Sequence, residues 1–385
     1  MRKFLTFLAT LLLIGATPVL GGWDEGVAAF TSKNYQGAAA EFEELVKQNP
    51  EGYRGHYMLG LSLEQLKRKE EALHHLRKAY DLNPNDLSIK VALGRAYFNL
   101  RRYDDVTQLL GSVDASSLPA AQQVAFYQIR GQAKFKSGNT QAAVSDFQRL
   151  ARLRPQDAQI QYMYGTTALS LGQTNEGIAA LNKASQLAPN DADKKRAYAQ
   201  ALVKKGRMSR DRSAKKQAYM RASELAAELV SKSPTYDNLM LKVSAELGAG
   251  RYSDAIKSSE AAIAKKSDDW LSHYYLGQAY SSNEQFQQAE VPLNTAKSKT
   301  TRPEDLKLVW RQLGYTYEKQ KKYAQSIEAY QNAGDQAGVA RVKENERTDA
   351  FNKSVEEENK QIKEMEAEAK RLEEELKALE GGGGR

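Results

Sequence analysis

A small residue in the same local context recurs along this chain at Gly26, Gly60, Gly94, Gly131, Gly165, Ala199, Val243, Gly277 and Gly314. The steps are 34, 34, 37, 34, 34, 44, 34 and 37, so five of eight are the same number. Self-similarity at this spacing means a stack of supersecondary units, each too small to bury its own apolar face. At 385 residues the chain is also too long for one compact core.

The clearest unit runs from Tyr53 to Asp86. Gly60 and Leu63, then Ala72, Leu76 and Ala79, mark two amphipathic helices joined by a short polar stretch. Gly60 and Ala72 let the two helices approach closely, and Ala79 admits the first helix of the next unit. Pro84 cannot continue a helix, and Asp86 is a good N-cap for the one that follows. Other units repeat the plan. A small residue stands twelve positions after the first at Ala38, Ala72, Ala143, Gly177, Ala255 and Ala289. An aromatic opens the second helix at Tyr35, Tyr103, Tyr252, Phe286 and Tyr323. Gly138, Gly172, Gly206 and Gly250 are expected in the hairpin turns, and Asp157 and Asp191 repeat the cap of Asp86.

On these residues the chain resembles the tetratricopeptide repeat family over about 23–338, or nine helical hairpins. The resemblance implies an all-α, right-handed superhelical solenoid. Val243 and Val106 depart from the small residues of the pattern, and Pro292 is expected to kink its helix or delay its start. Extensions near Ser112–Pro119 and Lys297–Pro303 lengthen two connections, and a larger insertion spans about Lys204 to Arg221. The expected domains are a signal peptide (1–21), the solenoid (22–338), a C-terminal helix (339–380) and a disordered tail (381–385).

The signal follows from Met1-Arg2-Lys3, an apolar run from Phe4 to Ile14 and small residues up to Gly22, with cleavage near Gly21. An exported protein of the periplasm or cell envelope is expected, with no transmembrane segment after cleavage; an uncleaved run would leave an N-terminal anchor. The absence of cysteine excludes disulfides, cysteine metal sites and a lipid on an N-terminal cysteine. Removing Arg2 and Lys3 takes the net charge from +8 to +6, which in an exported chain favours an acidic partner or anionic surface over nucleic acid. Lys204, Lys205, Arg207, Arg210, Arg212, Lys215 and Lys216, with Arg221, concentrate this charge in the insertion, read as either a solvated loop or an electrostatic patch.

Nothing in the chain carries catalytic or metal chemistry. His56 and His273 share a packing position on first helices, while the adjacent His74 and His75 point about 100° apart and cannot chelate one metal together. No metal-protease, calcium-loop, phosphate-loop or nucleophile-elbow motif occurs. No enzyme activity and no cofactor are expected. The resemblance implies instead a groove lined by first helices, placing Tyr57, Arg95, Phe98, Gln132, Phe135, Tyr162, Arg196, Tyr274 and Arg311 on its wall. Tyrosine, glutamine and arginine together suit the grip of a peptide or helix. The expected function is a protein-interaction scaffold of the envelope. A carrier or assembly factor for a secreted polymer or pilus-type subunit, and a regulator of a peptidoglycan or polysaccharide enzyme, are the alternatives. The asparagine-and-lysine clamp for C-terminal carboxylates known in the family is not reproduced.

The C-terminal segment has a different period. Phe351, Val355, Glu358, Ile362, Met365, Ala369, Leu372, Leu376 and Leu379 alternate by four and three, the seam of a coiled coil. Glutamates flank it at 366, 368, 373, 375 and 380, which disfavours self-pairing. The helix is expected to fold back on the basic surface of the repeats or to pair with a different, basic helix.

Overall fold

The computed structural model describes residues 22–381. The expected signal peptide and the last four residues of the tail lie outside the described residues. Among the described residues there are nineteen helices and no strand. They form nine hairpins and a final long helix. The hairpins are α1 (Trp23–Thr31) with α2 (Tyr35–Gln48), α3 (Tyr53–Gln65) with α4 (Lys69–Leu82), and α5 (Leu87–Asn99) with α6 (Tyr103–Leu110). Next come α7 (Ala120–Lys136) with α8 (Thr140–Leu153), α9 (Ala158–Ser170) with α10 (Thr174–Leu187), and α11 (Ala192–Met208) with α12 (Arg212–Lys232). The last three are α13 (Tyr236–Ala249) with α14 (Tyr252–Lys265), α15 (Trp270–Ser282) with α16 (Phe286–Lys299), and α17 (Pro303–Lys319) with α18 (Tyr323–Asn332). The final helix, α19, spans Gln336–Gly381. Two compact units result; the first ends at Ala201 and the second begins at Leu202, inside α11.

One register explains the hairpins. A Cβ built on Gly26, Gly60, Gly94, Gly131, Gly165, Gly277 or Gly314 would come within 2.4–2.9 Å of a side chain sixteen residues later. Those side chains are Phe42, Leu76, Leu110, Phe147, Leu181, Leu293 and Tyr330, all essentially inaccessible to solvent. In these seven hairpins the first helix thus offers a notch and the second helix fills it. Full burial of such a side chain stabilises by about 1.5–3 kcal/mol, and the repeat multiplies it. Where valine replaces the glycine, at Val243, the residue sixteen on is Ser259, and both are fully buried. A larger notch residue meets a smaller filler, so the volume stays the same.

Local chemistry sets the ends of the helices. Asp86, Asp157, Asp191 and Asp269 each accept two backbone N–H bonds from the first turn that follows. These bonds satisfy donors that the helix itself cannot. Hairpin turns pass through a left-handed residue, which is Gly138, Gly172 or Gly250 in three units. Lys33, Lys67, Arg101, Glu284 and Lys321 occupy the equivalent turns with φ of 59–65° despite having side chains.

Four expectations need correction. Gly206 is not a turn glycine; it lies within α11, and Tyr219 of α12 packs over it at 2.7 Å from where a Cβ would be. The insertion is not a loop. Rich in Lys, Arg, Ala, Gln and Met, it lengthens α11 and α12 to 17 and 21 residues, leaving only a short turn at 209–211. Pro292 does not delay its helix, since α16 starts at Phe286 and carries the proline inside, buried. The C-terminal helix does not fold back. Val339 and Val342 are buried beside Tyr330, and Arg341 forks onto Glu318 at 3.0 and 2.9 Å, but beyond Asp349 every described side chain is exposed except half-buried Val355.

The connection after α6 is fixed by a buried charge cluster. Arg130 reaches Asp146 through Nε and Nη2 at 3.0 and 2.6 Å, and Lys134 adds a third bond at 2.9 Å. The remaining arm of Arg130 donates to the carbonyls of Leu110 and Val113, each at 3.1 Å. The extended turn is therefore tied to the next hairpin.

Candidate functional site

The nine groove candidates all stand on first helices, at different depths. In the first unit, Tyr57 is packed against the core, and burial pushes its phenol up to about 12. Arg95 is committed to Glu64 of the preceding hairpin, with Nε at 2.7 and 2.9 Å from the two carboxylate oxygens, and Asn99 donates to the same carboxylate at 2.9 Å. Phe98 leans on Tyr103 at 5.4 Å. Gln132 donates to Met163 Sδ at 3.8 Å, and Lys194 lies 5.5 Å over the Tyr162 ring. Arg196 bonds Asp193 at 2.8 Å. Phe135 is different. It touches Phe147 at 6.4 Å but leaves 45% of its area in solvent.

In the second unit, Tyr274 meets the tilted rings of Trp270 and Tyr275 at 6.0 and 5.7 Å. Burial, reinforced by Tyr275, pushes its phenol up to about 12. Arg311 is exposed and pairs loosely with Asp335 at 3.4 Å. The structure thus links Tyr57 to the Glu64–Arg95 pair and Tyr274 to Arg311 electrostatically.

Two further first-helix residues matter here, Glu64 and Tyr315. Glu64 is the acid that holds Arg95, and its signal was a carboxylate 31 residues before an arginine on the next first helix. Tyr315 is open to solvent, with Phe286 at 6.4 Å and Lys319 over its ring at 5.7 Å.

The basic insertion forms the elbow between α11 and α12. Lys204, Arg207, Arg210, Arg212, Lys215, Lys216 and Arg221 are exposed there, and Lys205 is half-buried. Asp211 is occupied in capping α12 through Ser213 N at 2.8 Å, and Arg221 pairs with Glu224 at 2.7 Å. Met208 and Met220 are exposed beside these cations.

The histidines are structural. His56 Nε2 donates to the carbonyl of Pro50 at 3.0 Å, His273 repeats the bond to Ser267, and Gln161 makes it to Pro155. Each closes the turn between hairpins from the same repeat position. Because a carbonyl only accepts, His56 carries its proton on Nε2 and receives a bond at Nδ1 from His75 Nδ1 at 3.0 Å. No group of three or more candidate metal ligands occurs among the described residues.

Tetratricopeptide repeat models match residues 24–86, 130–192 and 240–298, a second such model covers 65–123, and a third 309–333. Together they span well over half of the sequence. The chain belongs to the tetratricopeptide repeat family. No curated protein matches it. Solved structures similar in fold include a MamA fragment from Desulfovibrio magneticus RS-1, at 17% identity, 46% coverage of this chain, 94% of that one and a TM-score of 0.40. Another is YrrB, described as a TPR protein with an unusual peptide-binding site, at 17% identity, 54% and 99% coverage and a TM-score of 0.44. A third is pilF of Pseudomonas aeruginosa, at 12% identity, 54% and 89% coverage and a TM-score of 0.43. A tetratricopeptide fold is generally a protein-interaction scaffold rather than a catalytic one, and its groove takes peptides or proteins. No described helix of this repeat protein is long and apolar enough to cross a membrane.

Proposed function

We propose that this repeat protein is an exported scaffold of the cell envelope that holds a segment of another protein along the face of its first helices. The observation that carries the reading is Phe135, a phenylalanine left 45% exposed on a first helix whose other apolar side chains are mostly packed. The half-buried Tyr162 and the ion-paired Arg95 on the two neighbouring first helices supply rigid, amphipathic surroundings. Aromatic anchors of this kind dominate binding energy where they enter a partner's pocket. The envelope assignment rests on the basic, then apolar, then small-residue order of residues 1–22. The cationic elbow between α11 and α12 suits an acidic partner or anionic surface.

Photo-crosslinking in the native cells tests this. A photoreactive residue replacing Phe135 is expected to yield discrete protein adducts in the envelope fraction. The same residue replacing Ser145, exposed on the second helix of that hairpin, is expected to yield none. Equal labelling from both positions, or adducts confined to the cytoplasm, would sink the reading.

A further inference from the structure

We propose that the exposed part of α19 is a docking helix for a basic amphipathic helix of another protein, which it pairs with as a coiled coil. This surface is separate from the groove proposed above. Phe351, Ile362, Met365, Leu372 and Leu376 leave 47–67% of their area in solvent. Among the described residues no other helix exposes more than two large apolar side chains; here five lie along one helix in heptad spacing, with Val355 and Ala369 completing the line. From Phe351 to Leu376 the stripe extends about 38 Å at a rise of 1.5 Å per residue. An apolar stripe of that length on a solvated helix marks an interaction surface.

Charge decides the occupant. Glu366 and Glu373 stand on one edge of the stripe, Gln361, Glu368 and Glu375 on the other. Lys363, Lys370, Arg371 and Lys377 all fall on the far side of the helix. None of the four flanking glutamates has an ion-pair partner among the described residues, and Glu358 lies within the stripe itself. A second copy is a poor fit. Paired in parallel, Glu368 would face Glu373 of that copy and Glu358 would meet its own equivalent in the seam. Paired antiparallel, the edges again oppose glutamate to glutamate. A helix with Lys or Arg at its flanking positions meets each of the four flanking glutamates with a cation. The basic elbow of the same chain does not serve, because the described part of α19 beyond Asp349 is bare except at Val355.

The full-length protein is the test material. Sedimentation equilibrium at neutral pH is expected to show a monomer at low micromolar concentration. Two synthetic four-heptad helices then serve as probes, identical in their leucine and isoleucine seam but carrying Lys or Glu at the flanking positions. The lysine probe is expected to bind one to one, at least about tenfold more tightly than the glutamate probe, and to weaken with added salt. Reversing Glu366, Glu368, Glu373 and Glu375 to Lys is expected to invert that preference. Ile362→Asp with Leu372→Asp is expected to abolish binding without changing thermal unfolding of the repeats, since both side chains are exposed. Equal binding of the two probes, binding of neither, or self-association lost in the Ile362→Asp/Leu372→Asp variant would overturn the proposal. Groove cross-linking at Phe135 involves no residue of α19, so the two readings fail separately.

Discussion

Asp146 and Glu246 are both 1% exposed, one in each unit, and they illustrate opposite ways of burying a carboxylate. Asp146 accepts a two-armed bond from Arg130 and a third bond from Lys134. Its arginine is in turn spent on the carbonyls that end α6, so the charge does structural work on the connection to α7. Glu246 has Lys242 at 3.5 Å from one oxygen and draws support from the Ser258 hydroxyl, but its other oxygen makes no well-formed hydrogen bond. Burial pushes its carboxyl above the usual range. The lesson is that burial alone says nothing about what a charge contributes; the number of satisfied lone pairs does.

Breaking the satisfied site should have the largest effect. Asp146→Ala leaves Arg130 buried without its counter-charge, and removing one member of such a pair costs about 3–5 kcal/mol. Urea denaturation is expected to show that loss. Hydrogen exchange should show faster amide exchange in residues 111–119, the segment that Arg130 tethers. A loss below about 1 kcal/mol would mean that the cluster is an ornament of packing rather than its cause.

That cluster was legible in the sequence, though not by its chemistry. Carboxylates on repeat surfaces are usually solvated, so Asp146 gave no signal of its own. Yet Arg130 and Asp146 are sixteen residues apart and each precedes a member of the Gly131–Phe147 pair. The same register that delivers the phenylalanine delivers the aspartate. Val243 and Ser259 obey it too, which is why a valine at a glycine position does not disturb the fold. The period failed where its count was interrupted. Gly206 stands 34 residues after Gly172 and so looked like a turn, because a period carries phase but not the helix propensity of the ten extra residues that lengthen this hairpin. For the groove, phase placed each residue on its helix but not its depth. Depth depends on neighbouring side chains, so Tyr57 sinks while Phe135 stays open. The α19 stripe was legible as a heptad, whereas its failure to fold back depends on surfaces that the heptad does not encode.

The His56–His75 pair sharpens the comparison, because it is a site satisfied only while neutral. Burial lowers both rings, His75 to about 4, with the other histidines acting in the same direction. At His56 the Pro50 carbonyl and Glu51 pull the other way while Lys78 adds to the lowering; at His75 the pull of Glu71 opposes the lowering and Arg68 adds a smaller push. Protonating His56 would set two N–H donors against each other at Nδ1. Because the unfolded rings titrate near 6.5, the unfolded state takes up protons first as pH falls. Stability is therefore full above pH 6.5 and lost as pH drops toward about 4. The loss should be on the order of 1–2 kcal/mol once screening of a half-buried ring is allowed for. His56→Gln with His75→Gln should remove this pH dependence, as Gln161 already makes the equivalent turn bond. A pH dependence that survives the double substitution would place its origin elsewhere.

The smallest effect is expected at Glu246, and its sign is the informative part. A carboxyl raised by burial above its ordinary 4.5 holds its proton more tightly folded than unfolded. It favours the folded state below pH 4.5 and loses that advantage as pH rises through the folded value. At neutral pH the ionised, half-satisfied carboxylate is thus a burden on the second unit. Glu246→Gln keeps the shape, removes the charge and lets an amide stand where Oε2 lacked a partner. Denaturation at pH 7 should show no loss, or a gain of up to about 1 kcal/mol. At pH 4, where the native side chain is already neutral, the variant and the natural protein should coincide. The parallel change Asp146→Asn in the first unit should be destabilising at pH 7, since there the charge is matched by two cations. Should Glu246→Gln instead lose more than about 1 kcal/mol at pH 7, the 3.5 Å contact with Lys242 is a working ion pair, and the two carboxylates are alike after all.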